Sequence, residues 1–240
     1  MYSKSSRHAT CALALLFAAA CSSILPWHDE PTGNEVNVTF VILNNLLFLN
    51  SVSVDGRPGR FLLGSAQLRT IIDPKFTSKS GPHSLQLNQR ESLRFVPVVA
   101  DLHAVADAIV GGDLWGNHAI TIDYRAGIVT FQREGMHPEL MIVYKYAEEP
   151  AVNVVVNGQI VSAIVDTTSP DTLVLPRGAA ASERRTAHIQ IADTDFGNVD
   201  IRTADVTTPR VGNRLLSRFL VSIDYGRHQV GLWRDPRIAL

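Results

Sequence analysis

The chain has 240 residues, of which 45% are apolar, and its formal net charge is −1. This balance is typical of a globular protein with a sizeable core and argues against a disordered chain. It also leaves no basic stripe of the kind that nucleic-acid binding needs, so we do not expect nucleic acid as a partner.

Cysteine and histidine are used sparingly in this sequence. Both cysteines lie within the first 21 residues, so the rest of the chain has no thiols from which to build a disulfide framework. The eight histidines show no metal-ligand spacing, and no HExxH or Cys-His motif is present. We therefore expect no metal and no cofactor, and we expect stability to come from burial and hydrogen bonding.

The first 20 residues have the layout of a secretory signal peptide. Lys4 and Arg7 precede an apolar run of ten residues, Cys11 to Ala20, which is too short to span a membrane. The small residues before Cys21 fit the cleavage rules of both ordinary signal peptidase and bacterial lipoproteins. Residues 21–35 are polar and contain prolines, which favours a tether behind a lipidated Cys21. Plain secretion with an unmodified cysteine remains the alternative.

From residue 36 onward the pattern favours strands and hairpins. Short alternating runs of β-branched and aromatic residues are separated by the turn pairs Asn44-Asn45, Asp55-Gly56 and Asn157-Gly158. Helical pieces are short, near 113–118 and 215–219. The predicted domains are a signal peptide (1–20), a tether (21–35), a first lobe (36–133), an inter-lobe connection (134–150), a second lobe (151–233) and a tail (234–240).

Two segments of the chain repeat each other at a separation of about 100 residues. The segment 54–73 aligns with 156–175, which places Gly64 opposite Asp166. Further matches follow at nearly the same separation, IVGGDL against RVGNRL and ITIDY against VSIDY. The period is too long for a solenoid and indicates two similar lobes.

The stretch from 161 to 175 carries the clearest chemical signal. An apolar strand delivers Asp166 into three small hydroxylated residues, Thr167, Thr168 and Ser169. This stretch resembles the active-site segment of retropepsin-like aspartic proteases, in which an apolar strand leads into Asp-Thr-Gly; Thr168 stands where the family has Gly. With the repeat, the resemblance implies an all-β fold of two retropepsin-like β-barrel lobes in one chain, related by pseudo-two-fold symmetry.

The same resemblance implies that one of two catalytic acids is missing. In the family each lobe contributes one Asp, and the two carboxylates share a proton, one acting as base on a water and the other as acid. Here Asp166 and Thr167 keep their places, whereas Gly64 and Ser65 stand on the opposite side. We interpret Asp166 as a relict catalytic residue that caps its turn. Candidate replacement acids are poorly placed in the sequence: Asp73, Asp113 and Asp123.

Each lobe also has a further predicted hairpin, within 85–99 and within 188–206. Alternating apolar and polar residues predict exposed two-stranded ribbons at both places. In the family, such a ribbon is the flap that closes over the substrate. The alternative is that each hairpin merely completes its sheet.

The expected function is that of an exported, envelope-anchored retropepsin-like protein that has lost catalysis. The interlobe cleft of this monomer would bind a peptide or protein, and a lipid at Cys21 would attach it to a membrane in the periplasm or at the cell surface. One alternative is an active aspartic endopeptidase in which Asp166 works with an unrecognised acid or with Asp166 of a second chain. Another is a purely structural lipoprotein without a cleft ligand.

Overall fold

The computed structural model describes residues 35–115, 118–178 and 185–237. These residues belong to one compact unit and are organised mainly as β-strands, so the all-β prediction is confirmed. The predicted signal peptide and Cys21 lie outside the described residues. Within the described residues, no helix is long and apolar enough to cross a membrane.

The first strand of the first part has nine residues and the others have five or fewer, and a 3-10 turn at Gly112–Leu114 separates the last two from the others. They are β1 (Glu35–Leu43), β2 (Leu46–Leu49), β3 (Ser53–Val54), β4 (Arg57–Pro58), β5 (Phe61–Leu63), β6 (Ile71–Ile72), β7 (His83–Gln86), β8 (Ser92–Phe95), β9 (Val98–Val99), β10 (Ala108–Val110), β11 (Ala119–Asp123) and β12 (Ile128–Gln132).

The second part follows a 3-10 turn at Pro138–Leu140 and contains longer strands and a short helix. They are β13 (Ile142–Lys145), β14 (Ala151–Val156), β15 (Gln159–Val165), β16 (Leu173–Pro176), β17 (Thr186–Ile191), β18 (Thr194–Ala204), β19 (Arg210–Val211), helix α1 (Asn213–Leu216), β20 (Leu220–Asp224) and β21 (Gln229–Trp233).

The predicted turn pairs form tight hairpins. Asn44 and Asn45 have φ of 53° and 61° between β1 and β2, and Asn157 and Gly158 have φ of 49° and 84° between β14 and β15. Two consecutive positive φ angles are what a type I′ turn requires, and Asn and Gly adopt them at low cost. The turn predictions are therefore confirmed at these positions.

In the part of the chain that the structure describes, the strands assemble into three sheets. One is a closed barrel in the order β14-β15-β19-β16-β18-β17, one has eleven strands in the order β13-β21-β20-β11-β12-β1-β2-β5-β10-β6-β9, and one has four in the order β4-β3-β7-β8. Strands β20 and β21, which the sequence placed in the second lobe, thus lie in the eleven-stranded sheet. The closed barrel is formed by residues of the second part alone.

The repeated segments form matching strand pairs. In the first part, β10 pairs in parallel with β5 and antiparallel with β6; in the second part, β19 does the same with β15 and β16. The repeated strands β11 and β20 pair antiparallel with each other, with Thr121 opposite Ser222. Their hydroxyl oxygens lie 3.0 Å apart.

The hairpin of β17 and β18 is not an exposed ribbon, contrary to the flap interpretation. Strand β17 pairs with β14 as well as β18, and β18 pairs with β16 as well as β17, so both are internal strands of the barrel. Its apolar side chains Ala187, Ile189 and Ile191 are buried in the core. In the first part, β7 likewise pairs with β3. The alternative, that the hairpin completes a sheet, describes β17 and β18, whereas β8 pairs only with β7 among the described residues and is an edge strand.

A large apolar core is shared by both repeats. It includes Leu63 and Val110 from the first part and Val165 and Val211 from the second. These are the last residues of the central strands, so the residues that follow them begin their turns on a fully packed base.

Candidate functional site

The two turns predicted to face each other begin in the same way. The Gly64 N–H donates to the Val110 carbonyl and the Asp166 N–H donates to the Val211 carbonyl, each at 2.9 Å. Each bond extends the pairing of a central strand by one residue. Both turns are therefore anchored by backbone hydrogen bonds that do not depend on the side chain at position 64 or 166.

Reciprocal hydrogen bonds join the two turns. The Thr167 Oγ1 accepts the Ser65 N–H at 2.9 Å and donates to the Leu63 carbonyl at 2.5 Å. The Ser65 Oγ accepts the Thr167 N–H at 3.0 Å and donates to the Val165 carbonyl at 2.6 Å. Ser65 and Thr167 are buried, so each hydroxyl satisfies a backbone donor and acceptor that water cannot reach.

The Asp166 carboxylate is bound on both oxygens. Its Oδ1 accepts the backbone N–H of Thr168 at 2.9 Å and the Thr168 hydroxyl at 2.5 Å. Its Oδ2 accepts Nη1 of Arg210 at 2.8 Å. The Asp166 side chain is 6% exposed and that of Arg210 is 29% exposed. A buried carboxylate is thereby paired with a guanidinium, and both of its oxygens already accept hydrogen bonds.

The space beside Gly64 is occupied by other side chains. A Cβ atom at position 64 would lie 2.5 Å from Cγ2 of Ile109 and 2.8 Å from Cγ of Gln67. Ile109 pairs with Leu62 as Arg210 pairs with Ile164, so the two residues hold matching positions on β10 and β19. The first turn has no side chain at position 64, and the apolar side chain of Ile109 lies where one would begin.

The tyrosines that end the repeated motifs ITIDY and VSIDY, Tyr124 and Tyr225, are hydrogen-bonded to the two turns, Tyr225 directly and Tyr124 through Asn213. Tyr225 Oη donates to the Ser65 carbonyl at 3.0 Å. Tyr124 Oη donates to Oδ1 of Asn213 at 2.8 Å, and the amide of Asn213 donates to the Thr167 carbonyl at 2.7 Å. Burial raises the pKa of both phenols, which keeps them neutral donors.

The three candidate replacement acids are used elsewhere. Within the described residues none of them hydrogen-bonds to Asp166; each binds its own surroundings: Asp73 accepts the N–H groups of Leu102 and Lys75, Asp113 accepts Thr70, and Asp123 accepts the N–H groups of Arg125 and Ala126. The two N–H donors hold the pKa of Asp73 below its ordinary value. These carboxylates fasten loops rather than complete the site.

Sequence reasoning named Asp166, Thr167, Gly64 and Ser65, and the structure brings all four into the two joined turns. It missed Arg210 and Ile109. The sequence did contain a signal for these two residues. The aligned motifs IVGGDL and RVGNRL differ at their first position, where the charged Arg210 stands opposite the apolar Ile109. Sequence reasoning also missed Asn213. Cys21, the predicted lipidation site, lies outside the described residues.

Across the described ranges, no group of three or more His, Cys, Asp or Glu side chains lies close enough together to hold a metal ion. A comparison with models of known protein families gives no match for this chain. A comparison with curated proteins finds no match either.

Proposed function

We propose that this chain is a two-lobed, retropepsin-like protein without catalytic activity, whose surface above the two joined turns binds extended peptide segments. The proposal of two related lobes is supported by the matching pairs around β10 and β19 and by the antiparallel pairing of β11 with β20. It is also supported by the reciprocal bonds between Ser65 and Thr167, which tie corresponding residues of the two repeats together.

The observation that supports the loss of catalysis is that only one of the two turns carries a carboxylate: Asp166 stands in the second turn and Gly64 at the matching position of the first. Proton sharing needs two carboxylates in contact, and general acid or base assistance contributes about 10²- to 10⁴-fold for each positioned group. Here one of the two positions is Gly64, which is covered by Ile109. The carboxylate at the other position, Asp166, is bound by Arg210. The scaffold that would align a catalytic pair is retained, whereas the groups that would perform the chemistry are not.

An apolar sheet edge near the first turn supports peptide binding. Strand β9 is the last strand of the eleven-stranded sheet, and Val98 and Val99 are 39% and 51% exposed. Arg69, in the loop that follows Gly64, donates to the carbonyl of the exposed Val96 at 3.0 Å, which ties this edge to the turn. An extended peptide that adds a strand to such an edge gains main-chain hydrogen bonds and buries alternate side chains.

We further propose that the protein is exported and works as a monomer, attached to a membrane through a lipid at Cys21. The charged start, the ten-residue apolar run and the small residues before Cys21 support this part of the proposal. Nucleic acid, metal and cofactors have no role in it.

The test of lost catalysis uses the chain from Cys21 onward with a mixed peptide library at acidic and neutral pH. We expect no cleavage by the wild-type chain or by Asp166→Asn, with or without a general aspartic-protease inhibitor. Cleavage that the inhibitor blocks and Asp166→Asn abolishes would contradict the proposal and favour an active endopeptidase.

Peptide binding is tested separately by fluorescence anisotropy with labelled peptides of mixed sequence. We expect Val99→Asp to weaken binding because it places a charge on the apolar edge. Ile160→Asp, at a residue that is 73% exposed on β15, is the matched control and should bind like the wild type. Equal binding by both variants would remove the β9 edge from the proposal.

A further inference from the structure

Arg210 has hydrogen-bonding capacity that Asp166 does not use. A guanidinium carries five N–H donors in a planar fork. Within the described residues, the hydrogen bond that the Arg210 side chain makes is the one from Nη1 to Oδ2 of Asp166. The donors on Nε and Nη2 are therefore available. Because its side chain remains 29% exposed, these donors can meet a ligand. The ion pair with Asp166 holds the fork in place before any ligand arrives.

A second arginine lies on the same face of the barrel. Val174 on β16 is the register partner of Arg210 on β19 and of Arg202 on β18. Register partners on neighbouring strands share a face, so the two arginines lie on either side of Val174. Arg202 is bound through Nε to Asp171 at 2.6 Å and is 55% exposed. It therefore also keeps unused guanidinium donors.

The two arginines have buried aliphatic residues as their neighbours on the adjacent strands. Leu173, Leu175 and Val211 point into the core, so the alternating residues Val174 and Arg210 face outward. Val174 is nevertheless only 1% exposed, and Ile164, the other neighbour of Arg210, is 3% exposed. A charge-assisted hydrogen bond made above buried aliphatic side chains is screened less by water than one on an open surface.

We propose that Arg210, positioned by Asp166 and assisted by Arg202, binds a carboxylate of the peptide ligand. This inference rests on the proposed peptide-binding function and specifies what the site recognises. A guanidinium fork matches the two oxygens of a carboxylate, and each arginine already binds one carboxylate of the chain through part of its fork. The carboxylate is either the C-terminus of the peptide or an Asp or Glu side chain.

The contrast with the first repeat supports a role for the charge. The matching position on β10 is Ile109, whose neighbours Leu62 and Ile71 are also apolar. The first repeat therefore shows that an apolar residue satisfies this place in the fold. Arg210 introduces a charge that packing does not require, and Asp166 is retained as its partner.

The experiment compares three labelled peptide mixtures of equal length by fluorescence anisotropy. The first has free C-terminal carboxylates, the second is the same mixture with C-terminal amides, and the third is amidated but enriched in Asp and Glu. We expect the wild-type chain to bind the first or the third mixture roughly 10- to 100-fold more tightly than the second, the range for hydrogen bonds to charged groups. Preference for the first identifies a C-terminus, and preference for the third identifies acidic side chains.

Variants then assign the preference to Arg210. Arg210→Gln should lose it, and Arg210→Lys should retain only part of it because an ammonium lacks the fork. Since Arg210→Gln leaves Asp166 buried without its partner, the double variant Asp166→Asn with Arg210→Gln provides a second test in which no buried charge is left unpaired. Arg218→Gln, at an exposed residue just after α1, is the matched control and should keep the preference.

The outcomes separate this inference from the function on which it rests. Equal binding of all three mixtures by the wild type, or an unchanged preference in the double variant, would refute carboxylate recognition while leaving peptide binding intact. Failure of the wild type to bind any mixture would refute both. Loss of the preference in Arg210→Gln and in the double variant, with the Arg218→Gln control unaffected, would support the inference.

Discussion

At the residue scale, two small hydroxylated side chains join the turns of the two repeats. Ser65 and Thr167 each bind one backbone N–H and one carbonyl of the opposite turn. Because all of these groups are buried, removing a hydroxyl leaves a donor and an acceptor without partners. The charged residues Asp166 and Arg210, by contrast, are paired with each other within the second repeat.

We predict that Ser65→Ala and Thr167→Val each lower the free energy of unfolding by about 1–3 kcal/mol, the cost of leaving buried polar groups unsatisfied. The double variant should lose less than the sum because both hydroxyls belong to one network. Urea denaturation measures all three. Ser162→Ala, at an exposed position on β15, is the control and should change stability by less than about 0.5 kcal/mol. Strict additivity would show that the two hydroxyls act independently.

We predict that Gly64→Asp alone does not create peptide cleavage. The new Cβ would collide with Ile109 and Gln67, and such overpacking costs about 1–3 kcal/mol. Arg210 would still occupy Oδ2 of Asp166. Adding Ile109→Ala should restore part of the lost stability in urea denaturation, and only the further change Arg210→Ile would free Asp166. Cleavage by Gly64→Asp alone would show that Arg210 does not block proton sharing.

At the element scale, the hairpin of β17 and β18 is a structural part of the barrel. A closed barrel has no free edge, so every strand in it is hydrogen-bonded on both sides. A flap must open and therefore needs strands that are free of such pairing. The edge strand β9 has the opposite character, since one side lacks a strand partner among the described residues.

We predict that the backbone amides of Ala187–Ile191 exchange with deuterium as slowly as the core strand β15. Amides bonded within the barrel exchange only through large-scale opening, whereas edge strands open locally. Val99 on β9 should exchange much faster and serves as the internal reference. The measurement is hydrogen–deuterium exchange followed by mass spectrometry. Rapid exchange throughout β17 and β18 would restore the interpretation of this hairpin as a mobile flap.

At the scale of the whole molecule, the chain beyond the last strand is fastened to the first part. Asp235 is buried, bound by Arg237, and lies 3.8 Å from Nη1 of Arg125, which follows β11. Residues 234–237 fall within the segment that the sequence predicted to be a tail. The ion pair between Arg125 and Asp235 connects the start of this segment to the turn between β11 and β12 of the eleven-stranded sheet.

We predict that the contribution of Asp235 to the free energy of unfolding decreases at low pH. Hydrogen bonds from Arg237 lower the pKa of Asp235 from 3.8 to about 2 in the folded protein. A carboxylate with a lowered pKa stabilises the fold fully above its unfolded pKa, and this contribution is lost as the pH falls from about 4 to about 2. Urea midpoints of the wild type and Asp235→Asn should therefore differ at neutral pH and converge in acid. Arg237→Gln should reduce the same acid dependence; a difference that is constant with pH would contradict the prediction.

We predict that Cys21→Ser releases the protein from membranes. A single acyl chain anchors a protein only marginally, whereas several chains on an N-terminal cysteine anchor it stably. Cell fractionation and the intact mass of the mature protein measure the effect. An unmodified Cys21 in the wild type, or unchanged partition of the variant, would favour plain secretion.

Local sequence was enough to predict the strands, the hairpin turns and the four turn residues. Asn44-Asn45 and Asn157-Gly158 favour positive φ angles whatever surrounds them, and alternating apolar residues indicate strands directly. The repeat then paired Gly64 with Asp166 because corresponding residues of repeated segments take corresponding places. These features depend on short-range preferences or on alignment, and both are visible in the printed sequence.

Tertiary structure alone decided which strand edges are covered and what surrounds the turns. Arg210 is 44 positions from Asp166 along the chain, and only the parallel pairing of β19 with β15 brings them together. The β17 hairpin has the same alternation whether its outer edge is free or paired with β14, because side-chain periodicity does not record backbone partners. No single segment specifies these non-local hydrogen bonds and packing contacts. They pair the carboxylate of Asp166 in one turn with Arg210, and they place Ile109 beside Gly64 in the other turn.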